Sequence, residues 1–442
     1  MKRLTLYAAL LLVVATLSAQ NLVAQALVAR SEFICYDKRE DAVADVRDNI
    51  DKYIEFSPVL QFEDSGKVRA VYEQVVDIPA AWQDFRAYLH MESVGADYAI
   101  FINGEQITEP IDRCTPTEIF ISPYLEQGEN TIAVVVVAEA YMDSISEQLN
   151  LPERKQFTNC YIFAQRRVGV FDYNVRLLPV GDNDYGRLKL DVYVDNTFTT
   201  DEELELGYDL YDPDGKLVDY TVNRYLIEAQ SRDTITFKPY SYNSNHFRWS
   251  ERNPKLYTAM IYVKRGGVNR EYIPLKVGFA EYGYNEKGEI LLFGKPLYLN
   301  KERYNSASDA KTTESQIKAL KAKGVNCLCP DYPQPQWFYS LCDRLGVYVI
   351  DCAAISSPSK GDNRNVGGTP SNDPLLKDEY LRRVDAMYRR AQNHVSIIAF
   401  SLGSATTGNG YNMYKAYELL KSYGDSRPII FEGAQGEWNT DI

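Results

Sequence analysis

Hydrophobic and polar residues alternate in short runs from about residue 28 to residue 165. The dipeptide Asn103-Gly104 separates two of these runs and favours a tight hairpin turn. Alternation with a period of two is typical of strands that bury one face. The pattern predicts an all-β sandwich over residues 28–165, with strands at Val68–Ile78, Phe85–Met91, Asp97–Ile102, Glu118–Ile121 and Thr131–Val137.

A second series of strand-like runs lies between residues 166 and 279. Turn sequences such as Asp212-Pro213-Asp214-Gly215 and Arg265-Gly266-Gly267 separate the runs. About 110 residues of short strands fit an immunoglobulin-like β-sandwich. The expected strands are Val170–Leu178, Leu188–Val194, Leu204–Tyr211, Thr234–Lys238, Leu256–Val263 and Glu271–Val277.

From residue 280 onward, apolar strands alternate with helical segments. Repeated βα units imply a parallel sheet, so we expect an incomplete (β/α) TIM-type barrel over residues 280–442. About five strands are predicted, and a complete barrel needs eight. They are Leu297–Leu299, Val325–Cys329, Val347–Cys352, Ser396–Leu402 and Pro428–Phe431. The predicted helices are Thr312–Lys323, Pro335–Leu345, a helix opened by Asp373-Pro374 and reaching about Arg390, and Tyr411–Tyr423.

The first residues have the pattern of a secretory signal. Lys2 and Arg3 precede a mostly apolar run from Leu4 to Leu17, and Ala24-Gln25-Ala26 offers a cleavage site. That run is shorter than the roughly 20 residues that cross a bilayer, so we expect no membrane span. The pattern predicts a signal peptide over residues 1–26 and export to the periplasm, the cell envelope or the extracellular space.

Composition narrows the possible chemistry. The 61 acidic and 48 basic side chains leave a net charge of −13, which repels phosphate backbones, so we expect no nucleic-acid partner. The three histidines lie far apart, and the seven cysteines contain no CxxC pair, so we expect no metal site. An odd number of cysteines leaves at least one thiol unpaired within the chain.

Several segments resemble glycoside hydrolase family 2, the β-galactosidase type. Residues 115–125 and 128–131 resemble the family's sugar-binding-domain signature, and residues 249–251, 254–257 and 277–279 match the end of its second domain. In the last region the matches are Asp331-Tyr332-Pro333, residues 338–343, residues 346–351, Asn393-His394, Ser401-Leu402-Gly403 and Arg427-Pro428. The resemblance implies a jelly-roll, galactose-binding-like first sandwich and a barrel that hydrolyses O-glycosyl bonds without a cofactor.

The sequence departs from the family where its chemistry takes place. The resemblance implies an acid/base glutamate in Ser-Leu-Gly-Asn-Glu after the fourth barrel strand, but this chain has Ser404 and Ala405 at the last two positions. A methyl group cannot transfer a proton. The family's nucleophile lies on a later strand, beyond residue 442, so we expect a truncated chain without catalytic residues.

The resemblance also indicates a remnant pocket at the strand ends. Its candidate residues are Asp331, Tyr332, Asp351, Cys352, Ser404 and Glu432. Asp351 and Glu432 match family positions, where structural roles are the simpler expectation. Cys329 and Cys352 replace an arginine and a glutamate on neighbouring strands, which suggests a disulfide in place of an ion pair, or two buried thiols as the alternative.

Three interpretations of the function follow. The chain is a secreted non-catalytic pseudo-glycosidase that binds carbohydrate or forms a structural part of an envelope assembly; it is a β-galactosidase-type hydrolase completed by another chain; or it is a decayed product that folds poorly. The two edges of a five-stranded parallel sheet are an aggregation hazard unless covered, so a protein partner or self-association at those edges is also expected.

Overall fold

The structure is a computed structural model. It describes residues 26–28, 30–31, 33–44, 52–63, 68–92, 94–137, 145, 157–178, 186–242, 246–307, 309–357, 363–404 and 407–442. These residues form two compact units. The first comprises residues 26–28, 52–137 and 157–166, and the second comprises the other described residues. The predicted signal peptide lies outside the described residues, apart from Ala26.

The first unit contains two five-stranded antiparallel sheets, which confirms the predicted jelly-roll sandwich. Its strands are β1 (Ala26–Val28), β2 (Tyr53–Glu55), β3 (Val59–Glu63), β4 (Val68–Ile78), β5 (Phe85–Met91), β6 (Tyr98–Ile102), β7 (Glu105–Gln106), β8 (Thr117–Phe120), β9 (Gly128–Val137) and β10 (Tyr161–Arg166). The strand orders are β1-β8-β5-β10-β2 and β3-β4-β9-β6-β7. Asn103 and Gly104 join β6 to β7 with φ angles of 51° and 88°, the left-handed conformation that a two-residue hairpin requires.

The second unit begins with the immunoglobulin-like sandwich. Its strands are β11 (Val168–Leu178), β12 (Gly186–Asn196), β13 (Glu202–Tyr211), β14 (Leu217–Ile227), β15 (Ser231–Phe237), β16 (Tyr240–Ser241), β17 (Tyr257–Arg265) and β18 (Val268–Val277). One sheet has the order β11-β12-β15 with β16 beside β12, and the other has the order β14-β13-β17-β18. Alternate residues of both sheets, such as Val192, Leu206 and Ile261, are fully buried between them.

Residues 30–44 pack in the second unit, whereas the sequence pattern placed them in the first sandwich. The Arg30 side chain donates to the carbonyl of Phe171 over 3.0 Å. Tyr36 exchanges two backbone hydrogen bonds of 2.9 and 2.8 Å with Tyr272 of β18. The short helix α1 (Arg39–Ala44) follows, and its Ala42 is buried against Met260 of β17. The boundary between the units therefore lies within the predicted range of 28–165.

The second unit ends in a parallel five-stranded sheet. A small antiparallel sheet of β19 (Tyr282–Tyr284), β20 (Ile290–Leu292) and β21 (Lys295–Pro296) precedes it. The parallel strands, in sheet order, are β22 (Lys301–Arg303), β23 (Cys327–Cys329), β24 (Tyr348–Cys352), β25 (Ile397–Ser401) and β26 (Ile429–Ile430). Order and direction confirm the predicted incomplete barrel. The predicted first strand, Leu297–Leu299, was misplaced: the strand that pairs with β23 is Lys301–Arg303, and Leu297 and Leu299 pack against the cluster of Trp249 and Ile290.

Four helices connect or flank these strands. They are α2 (Ala310–Ala322), α3 (Gln336–Leu345), α4 (Lys377–Ala391) and α5 (Tyr411–Ser422). Asp309 caps α2 by accepting a hydrogen bond from the backbone N–H of Thr312. Asp373 caps a short 3-10 helix, Pro374–Leu376, that leads into α4. None of the helices in the described part of the chain is both long and apolar enough to cross a membrane.

The parallel sheet has two differently packed faces. Val349, Ile397 and Phe400 face the helices and belong to the main core cluster of the unit. Tyr348 and Ile350 face the opposite, inner side of the sheet. Ile397 and Phe400 share a face although they are three residues apart, because the register shifts between the Val349–Ile397 and Ile350–Ala399 pairs. Beyond this irregularity, neighbouring residues point to opposite faces, and their alternation decides which strand-end side chains reach the inner surface.

The two edges of this sheet, an expected aggregation hazard unless covered, are a charged strand and a hydrogen-bonded strand. All three residues of β22 are exposed, and they are charged: Lys301, Glu302 and Arg303. At the other edge, Asp441 donates its backbone N–H to the carbonyl of Ile429 over 2.8 Å and accepts the N–H of Ile429 on its carboxylate. A charged edge and a hydrogen-bonded edge both protect against strand addition.

Candidate functional site

The carboxyl ends of the parallel strands bring polar side chains to one rim of the sheet. In α/β folds of this kind, ligands bind at this rim. The residues at or just after the ends of β22 to β26 are Arg303 and Asn305, Asp331 and Tyr332, Cys352 and Ser356, Ser401 and Ser404, and Glu432. The structure thus places five of the six predicted pocket residues, all but Asp351, along this rim.

Asp331 is held by two neighbours, Arg303 at the end of β22 and Asn305 just after it. Its carboxylate forms an ion pair with the Arg303 guanidinium and accepts a 2.8 Å hydrogen bond from the side-chain amide of Asn305. The backbone N–H of Asp331 donates to the side chain of Asn305 over 2.9 Å. Both carboxylate oxygens therefore have partners, which ties the ends of β22 and β23 together.

Asp351 faces the helices rather than the rim. It pairs with Phe400, whose ring lies in the helix-side core, and it has no exposed surface. The Tyr339 hydroxyl of α3 contacts both of its carboxylate oxygens at 3.0 Å. Burial raises the pKa of the Asp351 carboxyl to about 7. The hydrogen bond from Tyr339 favours the charged form and acts in the opposite direction, but its effect on the pKa is smaller.

The inner face at the rim carries thiols and a hydroxyl. Cys352 lies opposite Ser401 in the sheet, and burial raises the pKa of the Cys352 thiol to about 12. Cys327 and Cys329 are two residues apart on β23 and therefore share this face. A hydrogen bond from the Cys327 thiol lowers the pKa of Cys329, and the nearby Lys301 ammonium acts in the same direction.

The structure does not contain the disulfide expected between Cys329 and Cys352, since both are thiols. The register explains the difference. Leu328 pairs with Val349, so Cys329 lies opposite Ile350, and Cys352 is two residues farther along β24. This offset puts the two Cα atoms about 8 Å apart, beyond the roughly 6.8 Å that a disulfide spans.

Ser404 lies three residues after the end of β25 and is fixed by the loop after β24. Its hydroxyl lies 2.9 Å from the hydroxyl of Ser356, and its backbone N–H donates to the carbonyl of Ile355 over 2.8 Å. Thr407 donates its backbone N–H to the Ser404 carbonyl over 3.0 Å. Ala405 lies outside the described residues, between these two anchored positions.

The remaining predicted residues, Glu432 and Tyr332, differ in their exposure. Glu432 is exposed at the start of a short 3-10 helix, Glu432–Ala434, directly after β26. Tyr332 is buried, and its carbonyl accepts a 2.7 Å hydrogen bond from the side chain of Gln334. Among the described residues, no group of three or more His, Cys, Asp or Glu side chains is placed to hold a metal ion.

An aromatic surface near the rim was not among the predicted pocket residues. Trp438 follows β26, is 59% exposed, and stacks on Tyr414 of α5 with ring centroids 4.9 Å apart. Tyr417 contacts the indole with its ring edge at 5.8 Å. The neighbouring Glu437 forms a 2.6 Å ion pair with Arg364. The spacing of Tyr411, Tyr414 and Tyr417 on one helical face was the available sequence signal.

Comparisons with known proteins agree with this architecture. The chain matches three family models: the glycosyl hydrolases family 2 sugar binding domain over residues 32–167, the glycosyl hydrolases family 2 domain over residues 170–279, and the glycosyl hydrolases family 2 TIM barrel domain over residues 286–442. The models cover all three parts of the fold described above, and the first of them also includes residues 33–44, which pack in the second unit.

Two similar sequences are beta-galactosidases. The enzyme of Priestia megaterium is 27% identical over 369 residues, which cover 80% of this chain and 35% of the relative. The enzyme of Streptococcus thermophilus is 27% identical over 412 residues, which cover 88% of this chain and 38% of the relative. The chain therefore spans little more than a third of the length of these relatives.

Solved structures show the same fold at low identity. Bacteroides uniformis beta-glucuronidase 2 is 17% identical with a TM-score of 0.69, covering 92% of this chain and 52% of that one. A beta-glucuronidase from glycoside hydrolase family 2 is 12% identical with a TM-score of 0.70, covering 96% and 48%. With a jelly-roll sandwich, an immunoglobulin-like sandwich and a barrel-type sheet each matched by its own family model, the chain belongs to glycosyl hydrolases family 2.

Proposed function

We propose that this chain is a non-catalytic member of its family that binds carbohydrate at the rim of its parallel sheet. The observation that carries the proposal is the sequence at the end of β25, where Ser404 and Ala405 stand in place of the family's Asn-Glu. A retaining glycosidase needs a proton-donating carboxyl and a second carboxylate about 5–5.5 Å away. An alanine supplies neither.

The other carboxyl groups near these strand ends are poorly placed to substitute. Asp331 is engaged by Arg303 and Asn305, and Asp351 faces the helices beside Tyr339. Glu432 is exposed at the start of the short 3-10 helix after β26, at the opposite edge of the sheet from Asp331. Among the described residues, the rim therefore retains groups that bind polar ligands, and these three carboxyl groups do not form a matched acid and nucleophile.

The aromatic surface at Trp438 supports binding of a sugar. One face of its indole is packed on Tyr414, and the residue remains 59% exposed. A sugar ring combines an apolar face with hydroxyl groups, so an exposed indole beside the Glu437–Arg364 ion pair matches both parts. The relatives named beta-galactosidase and beta-glucuronidase make β-galactosides and β-glucuronides the first glycans to test.

A glycan array followed by calorimetry tests the binding proposal. We expect the chain to bind one class of β-linked glycan, and Trp438→Ala to weaken that binding about tenfold or more. Tyr298→Ala is the matched control, because Tyr298 is 90% exposed and lies between β21 and β22, before the amino end of the parallel sheet. Unchanged affinity in Trp438→Ala contradicts the assigned surface.

A chain that binds no glycan contradicts the carbohydrate proposal itself. That result favours the other non-catalytic role, a structural part of an envelope assembly. Turnover that appears only when a second polypeptide is added supports instead a hydrolase completed by another chain.

A further inference from the structure

The outer edge of β14 differs from the other strand edges of the immunoglobulin-like sandwich. In the described residues, β14 pairs only with β13, along its whole length from Leu217 to Ile227. It contains neither proline nor lysine, the residues that usually protect edges. No backbone hydrogen bond within the described part of the chain reaches its outer side.

The other three edges are covered or polar. β18 is bridged by Tyr36, and β11 donates the backbone N–H of Val175 to the side chain of Asn393 over 2.8 Å. β15 is polar, with Arg232, Asp233 and Thr234 exposed. Of the four edges compared in the described residues, the edge of β14 is therefore the long one without a paired or polar cover.

Exposed apolar side chains accompany this edge. Tyr220, Val222 and Leu226 are 68%, 47% and 64% exposed, and all three point to the outer face of the sheet. On the same face, residues 33–44 cover the β17 and β18 half, where Met260 is buried. On the half that carries β14, no described residue buries Tyr220, Val222 or Leu226. An apolar row next to free backbone groups is the arrangement that accepts another strand.

The sequence of β14 is complementary to itself in antiparallel pairing. With a twofold axis at Val222, Tyr220 of one copy lies opposite Arg224 of the other. The axis generates this pair twice, once on each side of Val222. Asp219 lies opposite Tyr225, and Val222 meets its own copy. Aromatic–cation and carboxylate–hydroxyl pairs are favourable across strands, and no like charges face each other.

Neighbouring registers are worse. An axis at Asn223 sets Arg224 against Val222, and an axis at Thr221 sets Arg224 against Val218. Both registers take the guanidinium away from the tyrosine ring. The favoured register is therefore a single one, as a specific contact requires.

We propose that β14 is a homodimer interface, in which a second copy of this chain adds its own β14 antiparallel about a twofold axis at Val222. The two four-stranded sheets then form one continuous eight-stranded sheet. The contact is isologous, so it closes and does not propagate. A single strand edge buries little area, so the dimer is expected to dissociate on dilution.

Sedimentation velocity on the chain between about 1 and 100 µM tests the proposal, because small interfaces dissociate in this range. We expect a monomer–dimer equilibrium. Val222→Lys brings two ammonium groups together at the axis and should raise the dissociation constant at least about tenfold. Val268→Lys is the matched control, since Val268 is 50% exposed at the start of β18 on the opposite edge, and it should change the constant less than about twofold.

Cross-linking tests the register. Directly opposed residues of antiparallel strands have Cα atoms about 4.5–5.5 Å apart, so Val222→Cys should form a disulfide between copies on mild oxidation. Tyr220→Cys, which faces Arg224, should cross-link much less. A monomer at all concentrations, a Val222→Lys dimer as stable as wild type, or equal cross-linking by both cysteine variants overturns the proposal.

Discussion

At the end of β24, neighbouring residues have opposite environments. Asp351 faces the helices with no exposed surface, while Cys352 faces the inner side opposite Ser401. The Asp351 carboxyl is held mainly in its neutral form below a pKa of about 7, because burial penalises its charge more than Tyr339 and the Arg390 charge favour it. Asp351 therefore acts as a packing and hydrogen-bonding group of the barrel wall.

The raised pKa gives stability a pH dependence with a definite sign. A carboxyl whose pKa is higher in the folded chain than its ordinary value of 3.8 stabilises the fold fully below 3.8, and this contribution is lost as the pH rises through about 7. We expect the free energy of unfolding of wild type, relative to Asp351→Asn, to fall between pH 4 and pH 8. Urea unfolding of both proteins at several pH values measures this difference.

Asp378→Asn serves as the control for that series. Its side chain is 91% exposed, so its substitution should leave the pH profile almost unchanged. A wild type that gains stability over Asp351→Asn as the pH rises contradicts the assignment of Asp351 as a buried, mainly neutral group.

The positions of residues at strand ends could be predicted from the sequence wherever the strand boundary itself was predicted correctly. Asp331, Cys352 and Ser404 lie at the rim because β23, β24 and β25 end close to their predicted positions. The disulfide prediction failed because it depends on register, which one sequence does not specify: pairing of Leu328 with Val349 sets the cysteines two residues apart.

Strands were predicted correctly where their apolar residues point into the core. β4 and β5 coincide with their predicted bounds. β14 was missed because its pattern is inverted: Asp219 points inward and accepts hydrogen bonds from the Tyr208 hydroxyl and the Tyr240 N–H, while Tyr220 and Val222 point outward. β22 was misplaced because an exposed, charged edge strand lacks an apolar run.

The end of α3 contacts the loop between β16 and β17 of the immunoglobulin-like sandwich. Gly346 has a φ of +67°, and a Cβ there would lie 2.7 Å from the carbonyl oxygen of Glu251. Gly424 has a φ of +64° with nothing within 4 Å. Gly424→Ala should cost about 1 kcal/mol for its backbone conformation alone, and Gly346→Ala about 2–4 kcal/mol because the overlap adds to it.

Chemical unfolding of the two alanine variants compares these costs. A wild-type-like Gly346→Ala, or equal losses in both variants, would show that α3 does not pack against the Glu251 loop as described.

Export of the whole molecule is predicted independently of its carbohydrate binding. If the chain carries a secretory signal, the mature protein begins after a cleavage between Ala19 and Ala26, because Ala24-Gln25-Ala26 and the earlier Ser18-Ala19-Gln20 both offer small-residue sites. Amino-terminal sequencing of protein from the native cell, fractionated into cytoplasm and envelope, tests this. A cytoplasmic protein that retains Lys2 and Arg3 contradicts it.

Hydrolysis is the most direct test of the central claim that this chain binds carbohydrate without cleaving it. Wild type and Ala405→Glu are assayed with aryl β-galactosides, β-glucuronides and β-mannosides after removal of host glycosidases. We predict rates at the buffer blank for both. A general acid typically contributes about 10²- to 10⁴-fold, but a glutamate at position 405 has no matched nucleophile, because Asp331 is ion-paired and Asp351 faces the helices. Turnover by wild type that co-purifies with the chain and disappears when Asp331 or Glu432 is replaced would contradict the account.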